Sequence, residues 1–364
     1  MPILFITLSL SSCNEKAQTS EGVLMEDHST FQDYKLPDSL SSERMLFVMA
    51  VKENMGDSIW PAFKQHIGPF IYFNGDKSEV FFPSSQVLDK LDDHNRYSED
   101  YVLTQRTDSI PFHFEVMISF NEEDSARHYY DHPVQQVLSV EETEQFIPSV
   151  QSTEMWSTMV IHEMFHQFQY VNPGYGTYAK NQIGNLPYDI RDLMEMSHGN
   201  EAFLSAVQKE NEFLLQAISE KDETKMRAHL EDYLQSRKER IKQFFGQNDT
   251  LETVENYYIL QEGSARYAEY QSMRVLNRFS KNKEDHDIAE DPMFKDFSEF
   301  EELDLTHPDF SFLTYAGAPD YHYALGFNTL RILDILGIEY KSTLLGRPDI
   351  PLHEYIARYL NTKS

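Results

Sequence analysis

Hydrophobic and polar positions divide the chain near residue 150, where short strand-like runs give way to apolar residues at helical spacing. Upstream, residues 44–55 and 59–67 are short amphipathic runs that read as helices, the second with Pro61 near its start. Strands follow. Pro69-Phe70-Ile71-Tyr72-Phe73 and Val80-Phe81-Phe82 flank Asn74-Gly75-Asp76, a turn signal that closes hairpins. Residues 111–120, dominated by β-branched and aromatic side chains, read as a third strand. Downstream, residues 153–170 read as one helix, stopped by the breaker Asn172-Pro173-Gly174. Residues 174–187, rich in Gly, Tyr and Asn, read as a loop. Phe203, Leu204, Val207, Leu214 and Ile218, then Leu230, Tyr233, Leu234, Ile241 and Phe244, predict a helical hairpin over 200–220 and 222–245. Residues 251–279 form a further helix, an acidic stretch over 283–309 breaks the pattern, and two helices close the chain. No internal repeat is apparent.

The helix over 153–170 carries His162-Glu163-Met164-Phe165-His166. Side chains four apart lie one above the other on a helix, so both imidazoles can face one metal ion while Glu163 sits beside them. That arrangement suits zinc hydrolysis: two imidazoles and a third protein ligand hold the ion, and the Glu serves as base toward a water. A third ligand is expected on a second helix among small residues. Leu260-Gln261-Glu262-Gly263-Ser264-Ala265 meets that description, and Glu269, two turns past Glu262, is positioned to accept the outer N–H of a ligating His.

These residues resemble a known family. His162-Glu163-x-x-His166 followed by Glu262-Gly263-x-Ala265-x-Tyr267-x-Glu269 is similar to the gluzincin metallopeptidases, the thermolysin-like and aminopeptidase N-like group of the MA clan. Tyr323-Ala324-Leu325-Gly326-Phe327 adds a third element, since aminopeptidase-like members carry a Tyr three residues before such a Gly. The resemblance covers roughly the C-terminal 60 % of the chain. It implies an α+β fold, a small N-terminal sheet supporting the zinc helix and then a mostly helical region. It also implies Zn²⁺ on His162, His166 and Glu262, Glu163 as general base, Tyr323 as oxyanion donor, and a sheet edge that lays out the substrate peptide. The departures are informative. From His166 to Glu262 runs an interval of 96 residues, longer than in most of the group. The G-x-M-E-N signature of aminopeptidases is absent, so aminopeptidase activity does not carry over. Gln169 and Asn172 stand where metzincins have their Gly and third His.

Other histidines read differently. His128 and His132 are also four apart, but no Glu follows the first, so surface or capping roles fit them. His198 stands near the expected pocket. His322, beside Tyr323, is a candidate substrate contact. Phe165 and Phe168 read as the packed back face of the metal helix.

Composition adds three constraints. The 364 residues, 40 % hydrophobic and 13 % aromatic, can bury a core with room for about two domains. A formal net charge of −29, from 60 acidic against 31 basic residues, opposes binding to polyanions and argues against a nucleic-acid partner. The single cysteine closes Leu10-Ser11-Ser12-Cys13, which resembles the lipobox of bacterial lipoproteins and follows a short apolar stretch over 2–10. That stretch is too short to span a bilayer. No Lys or Arg stands in the first twelve residues, as a start codon further upstream would explain. The expected layout is a signal segment over 1–12, a tether over 13–27, an α/β subdomain over 28–170 and a helical subdomain over 171–364. The expectation is a zinc metallopeptidase of the bacterial cell envelope that acts on a peptide or protein substrate and meets the membrane only through a lipid on Cys13. The competing expectation is an inactive or non-peptidase envelope lipoprotein that binds a protein or glycan.

Overall fold

The computed structural model describes residues 34–56, 59–91, 93–109, 111–118, 131–282, 288 and 290–362. Cys13, the signal segment, the tether and His128 lie outside the described residues. From Lys35 onward the chain forms one compact unit. Its first half contains α1 (Leu40–Met55), β1 (Phe70–Asn74), β2 (Lys77–Phe81), α2 (Ser85–Asp89), β3 (His94–Arg96), β4 (Tyr101–Gln105), β5 (Phe114–Met117) and β6 (Val134–Leu138). The strands make one sheet in the order β3-β4-β2-β1-β6-β5. β1 and β2 form the hairpin signalled by Asn74-Gly75-Asp76: Asn74 pairs with Lys77, and Gly75 takes φ 57°, a left-handed conformation that suits a residue without Cβ. β1 and β6 are parallel, and the other pairs are antiparallel. Alternation sends Ile71 and Phe73 to a small core with Val80, Val87 and Val102, and Phe70 and Tyr72 to the larger core shared with the helices.

Two upstream expectations change. Residues 59–65 form turns rather than a helix, with Ala62 at φ 66°. Burial decides this segment: Trp60 and Phe63 pack edge-on against Phe165, at 5.0 and 5.1 Å between ring centroids. Of the strand expected over 111–120, the described residues 111–118 show β5, four residues at the sheet edge, and 119–120 lie outside the described residues.

The second half is helical: α3 (Val140–Phe146), α4 (Thr153–Val171), α5 (Pro173–Asn181), α6 (Ile190–Gly199), α7 (Glu201–Ser219), α8 (Glu223–Arg240), α9 (Asp249–Asn282), α10 (Pro308–Ser311), α11 (Tyr321–Ile335), α12 (Lys341–Leu344) and α13 (Leu352–Thr362). The molecule is thus α+β, with a small N-terminal sheet followed by a helical C-terminal region. The loop expected over 174–187 is largely helix. Asn172 ends α4 and at the same time caps α5, its side chain accepting from the amides of Gly174 and Tyr175, while Pro173 fills the first helical position. A triplet that stops one helix is equally a signal for starting the next.

The sheet holds α4 through side chains that reach backbone groups at successive turns. Trp156 Nε1 donates to Leu138 O at 3.0 Å, Gln135 Nε2 to Val160 O at 2.9 Å, and Gln167 Nε2 to Pro69 O and Pro133 O at 2.9 and 3.1 Å. The start of α4 is tied to the acidic stretch. Buried Glu154 accepts from the amides of Lys295 and Phe297. Asp291 accepts from Thr153 Oγ1 at 2.6 Å and pairs with buried Arg44 at 2.7 Å. The described part of that stretch is therefore anchored to the helix it follows in space.

Candidate metal centre

α4 and α9 bring together the residues that the sequence separates by about a hundred positions. Within the described residues, His162, His166 and Glu262 form a buried group whose donor atoms converge. His162 Nε2 and His166 Nε2 are 3.1 Å apart, and Glu262 Oε2 lies 3.1 Å from the second and 3.6 Å from the first. Tetrahedral Zn²⁺ with bonds of about 2.0–2.2 Å has donor–donor edges of about 3.3–3.6 Å, so one of the three separations matches a tetrahedral face and the other two fall short of it by about 0.2 Å.

The outer ring nitrogens fix which way the imidazoles point. His162 Nδ1 lies 3.0 Å from Glu269 Oε2, and His166 Nδ1 lies 2.8 Å from Gln169 Oε1. An N–H donated outward from each ring leaves Nε2 as a lone pair aimed inward, the tautomer a metal requires. Gln169 is the residue that sequence reasoning passed over. Its Nε2 donates to Gln261 O at 2.9 Å and to Ser264 Oγ at 2.8 Å, which turns Oε1 toward His166. Its only sequence signal is an amide three positions after the second His, on the face that meets the partner helix.

The cluster concentrates negative potential. Burial disfavours a charged His162, yet the bonds and charges of Glu262, Glu269 and Glu163 outweigh it and raise the imidazole to about 10. Burial likewise opposes ionisation of Glu262, and the two imidazoles overcome it, holding that carboxyl well below its usual range. The place seeks positive charge, which a divalent cation supplies in a more concentrated form than a proton. Glu163, half buried on the next position of the same turn, is pushed upward by burial and by Glu262 and Glu269, against the pull of the two imidazoles.

Tyr323 joins from α11. Its ring stacks on His162 at 5.9 Å and 24°. Burial, with the charges of Glu262 and Glu163, keeps its hydroxyl protonated well above the ordinary phenol range, so it remains a donor. What lets α11 come so close is a glycine pair. A Cβ on Gly326 would stand 2.0 Å from Ile259 O, and one on Gly263 would stand 2.4 Å from Gly326 Cα. The small residue after Glu262 therefore serves the crossing of α9 and α11, whereas Ser264 faces α4. Gly326→Ala is expected to cost about 1–3 kcal/mol by overpacking, with the helices forced apart and Tyr323 displaced. Urea unfolding and zinc stoichiometry measured together would check it.

None of the remaining candidates is among the converging donors. His322 is buried among Tyr258, Tyr321 and Tyr323, its Nδ1 has no hydrogen-bond partner among the described residues, and burial lowers it to about 4, so it is neutral. His198 is exposed at the end of α6, and His132 is exposed beside β6. Phe165 and Phe168 pack into the core behind the imidazoles. Compared with known proteins, the chain matches no family model, no curated protein and no solved structure.

Proposed function

We propose that this protein is a zinc metallopeptidase that hydrolyses peptide bonds with water. The observation that carries the reading is the convergence of His162 Nε2, His166 Nε2 and Glu262 Oε2 beside a carboxylate, Glu163, that belongs to none of their mutual contacts. Two imidazoles and one carboxylate are a donor set suited to zinc, and the outward bonds to Glu269 and Gln169 raise the basicity of both rings. When bound, the ion supplies Lewis acidity toward the scissile carbonyl and makes water a nucleophile at neutral pH.

The chain's own residues supply the rest. Glu163 removes the proton from the attacking water and delivers it to the leaving amine. Tyr323, held protonated, donates its hydroxyl to the oxyanion that develops on the carbonyl oxygen. The ring contact with His162 keeps Tyr323 on the metal side of α11. Tyr323→Phe, which keeps that contact, is expected to lower kcat by about 10²–10³ with metal content unchanged. Steady-state kinetics alongside elemental analysis would check this.

The deciding experiment combines zinc analysis of the purified chain with cleavage of a mixed peptide library, with and without a chelator. One zinc per chain and chelator-sensitive cleavage would support the proposal. Zinc without cleavage would favour a binding lipoprotein, and no zinc would end the metal reading. We also propose, from the Leu10-Ser11-Ser12-Cys13 motif, that a lipid on Cys13 tethers the enzyme to the bacterial envelope. Labelled fatty acid that enters wild type and fails to enter Cys13→Ser would support that tether. Among the described residues no helix is long and apolar enough to cross a membrane.

A further inference from the structure

Arg266 stands four positions after Glu262 and three before Glu269, so helix geometry puts all three on one face of α9. Its guanidinium carbon lies 4.4 Å from the centroid of the Tyr323 ring and 5.6 Å from that of Phe312. Only Nη1 has a described acceptor, the Phe312 carbonyl at 3.1 Å, and Nε is buried with no partner among the described residues. No carboxylate among the described residues comes within ion-pair distance of it. The fully buried arginines are arranged otherwise. Arg44 meets Asp291 at 2.7 Å, Arg237 meets Glu255 at 2.9 Å, and Arg240 meets Glu210 at 2.6 Å. The carboxylates nearest Arg266 in sequence are already engaged: Glu269 with His162, and Glu262 with both imidazoles.

A π contact with Tyr323 stabilises the charge of a guanidinium but accepts none of its in-plane N–H groups. The Nε and Nη2 edge is therefore an unspent two-pronged donor, and the anion that matches it in shape and charge is a carboxylate. Phe312, which packs against the guanidinium, is 41 % exposed, so this side of Arg266 borders solvent. We infer that Arg266 reads a carboxylate of the substrate, carried close to the scissile bond either as a free C-terminus or as an Asp or Glu side chain. This inference rests on the peptidase reading and adds its specificity: a site that recognises negatively charged peptides.

The test uses the full zinc-loaded chain and two small probes that differ at one end. The monohydroxamate of succinic acid offers a zinc-binding group and a carboxylate, and its carboxamide counterpart offers the same zinc-binding group and no charge. Calorimetry is expected to find the acid bound about ten- to a hundredfold tighter than the amide, the range for hydrogen bonds to a charged partner. In Arg266→Gln that ratio should fall to about one with amide affinity retained, and Arg266→Lys should recover part of it, since charge returns without the fork. A residue that merely steadied Tyr323 would leave the acid-to-amide ratio unchanged. Should Arg266→Gln not fold, the ratio in wild type decides. Peptide pairs assign the source: loss of cleavage on amidating the C-terminus identifies the terminal carboxylate, and loss on exchanging an interior Glu for Gln identifies a side chain. Zinc bound with acid and amide equal, or with neither probe bound, would overturn the role of Arg266 alone. A chain that takes up no zinc would overturn the peptidase reading itself.

Discussion

Glu163→Gln is expected to retain one zinc per chain and wild-type thermal stability while losing about 10²–10⁴ of kcat. The substitution keeps volume and polarity at a half-buried position on α4, so packing is conserved. Zinc affinity should persist because none of the three converging donor atoms belongs to Glu163; they come from His162, His166 and Glu262, and Glu269 and Gln169 hold the two rings. What disappears is the capacity to take a proton. An amide oxygen can orient a water but cannot hold its proton through the transition state, so kcat falls and KM changes little. Glu163→Asp is expected between the two, since it restores the carboxylate one methylene too far back. A Glu163→Gln enzyme that cleaves at the parental rate with zinc in place would remove Glu163 from the mechanism.

The residues legible in the sequence are those whose chemistry is local to a helix face. His162, Glu163 and His166 announce themselves through a four-residue spacing that needs only the helix to make sense. Glu262 is legible one step less directly, through the small residues that follow it and the seven-residue step to Glu269. Those small residues have a different reason for being there: Gly263 meets Gly326 of α11. Gln169 and Arg266 were not legible, because a polar residue on a helix reads as solvated until the partner helix is known. The same holds for the sheet. The Asn-Gly hairpin was visible from turn chemistry, but β3, β4 and β6 are short strands whose pairing comes from distant residues. Residues 59–65 have a helical pattern and yet form turns, since Trp60 and Phe63 gain more by packing on Phe165 than a single helical turn offers.

Arg240→Met is expected to destabilise the protein by about 3–5 kcal/mol, although its ion-pair partners, Glu210 and Glu255, lie outside the converging group of His162, His166 and Glu262. Arg240 is fully buried where α7, α8, α9 and α11 meet, bonded to Glu210 at 2.6 Å and to Glu255 at 2.8 Å. Glu255 also accepts from Tyr321 Oη at 2.7 Å, and Tyr321 opens the helix that carries Tyr323. Removing the guanidinium leaves two buried carboxylates facing Arg237 alone, and a buried charge without its partner costs more than the pair contributes. Acid titration gives a second, independent readout. Burial disfavours an ionised Glu255, but Arg240 and Arg237, with the Tyr321 bond, overcome it and hold this carboxyl at about 2 against an ordinary 4.5. A depressed folded-state pKa gives stability that is fully present above pH 4.5 and is lost as pH falls toward 2. In Arg240→Met, burial and the neighbouring Glu210 are left against Arg237 and the Tyr321 bond, so the pKa of Glu255 should rise and that acid-side loss should shrink or change sign. Urea midpoints from pH 7 down to pH 3 for both proteins would read the two effects together. A variant with parental midpoints throughout would mean that the cluster at the base of α11 carries no net stability.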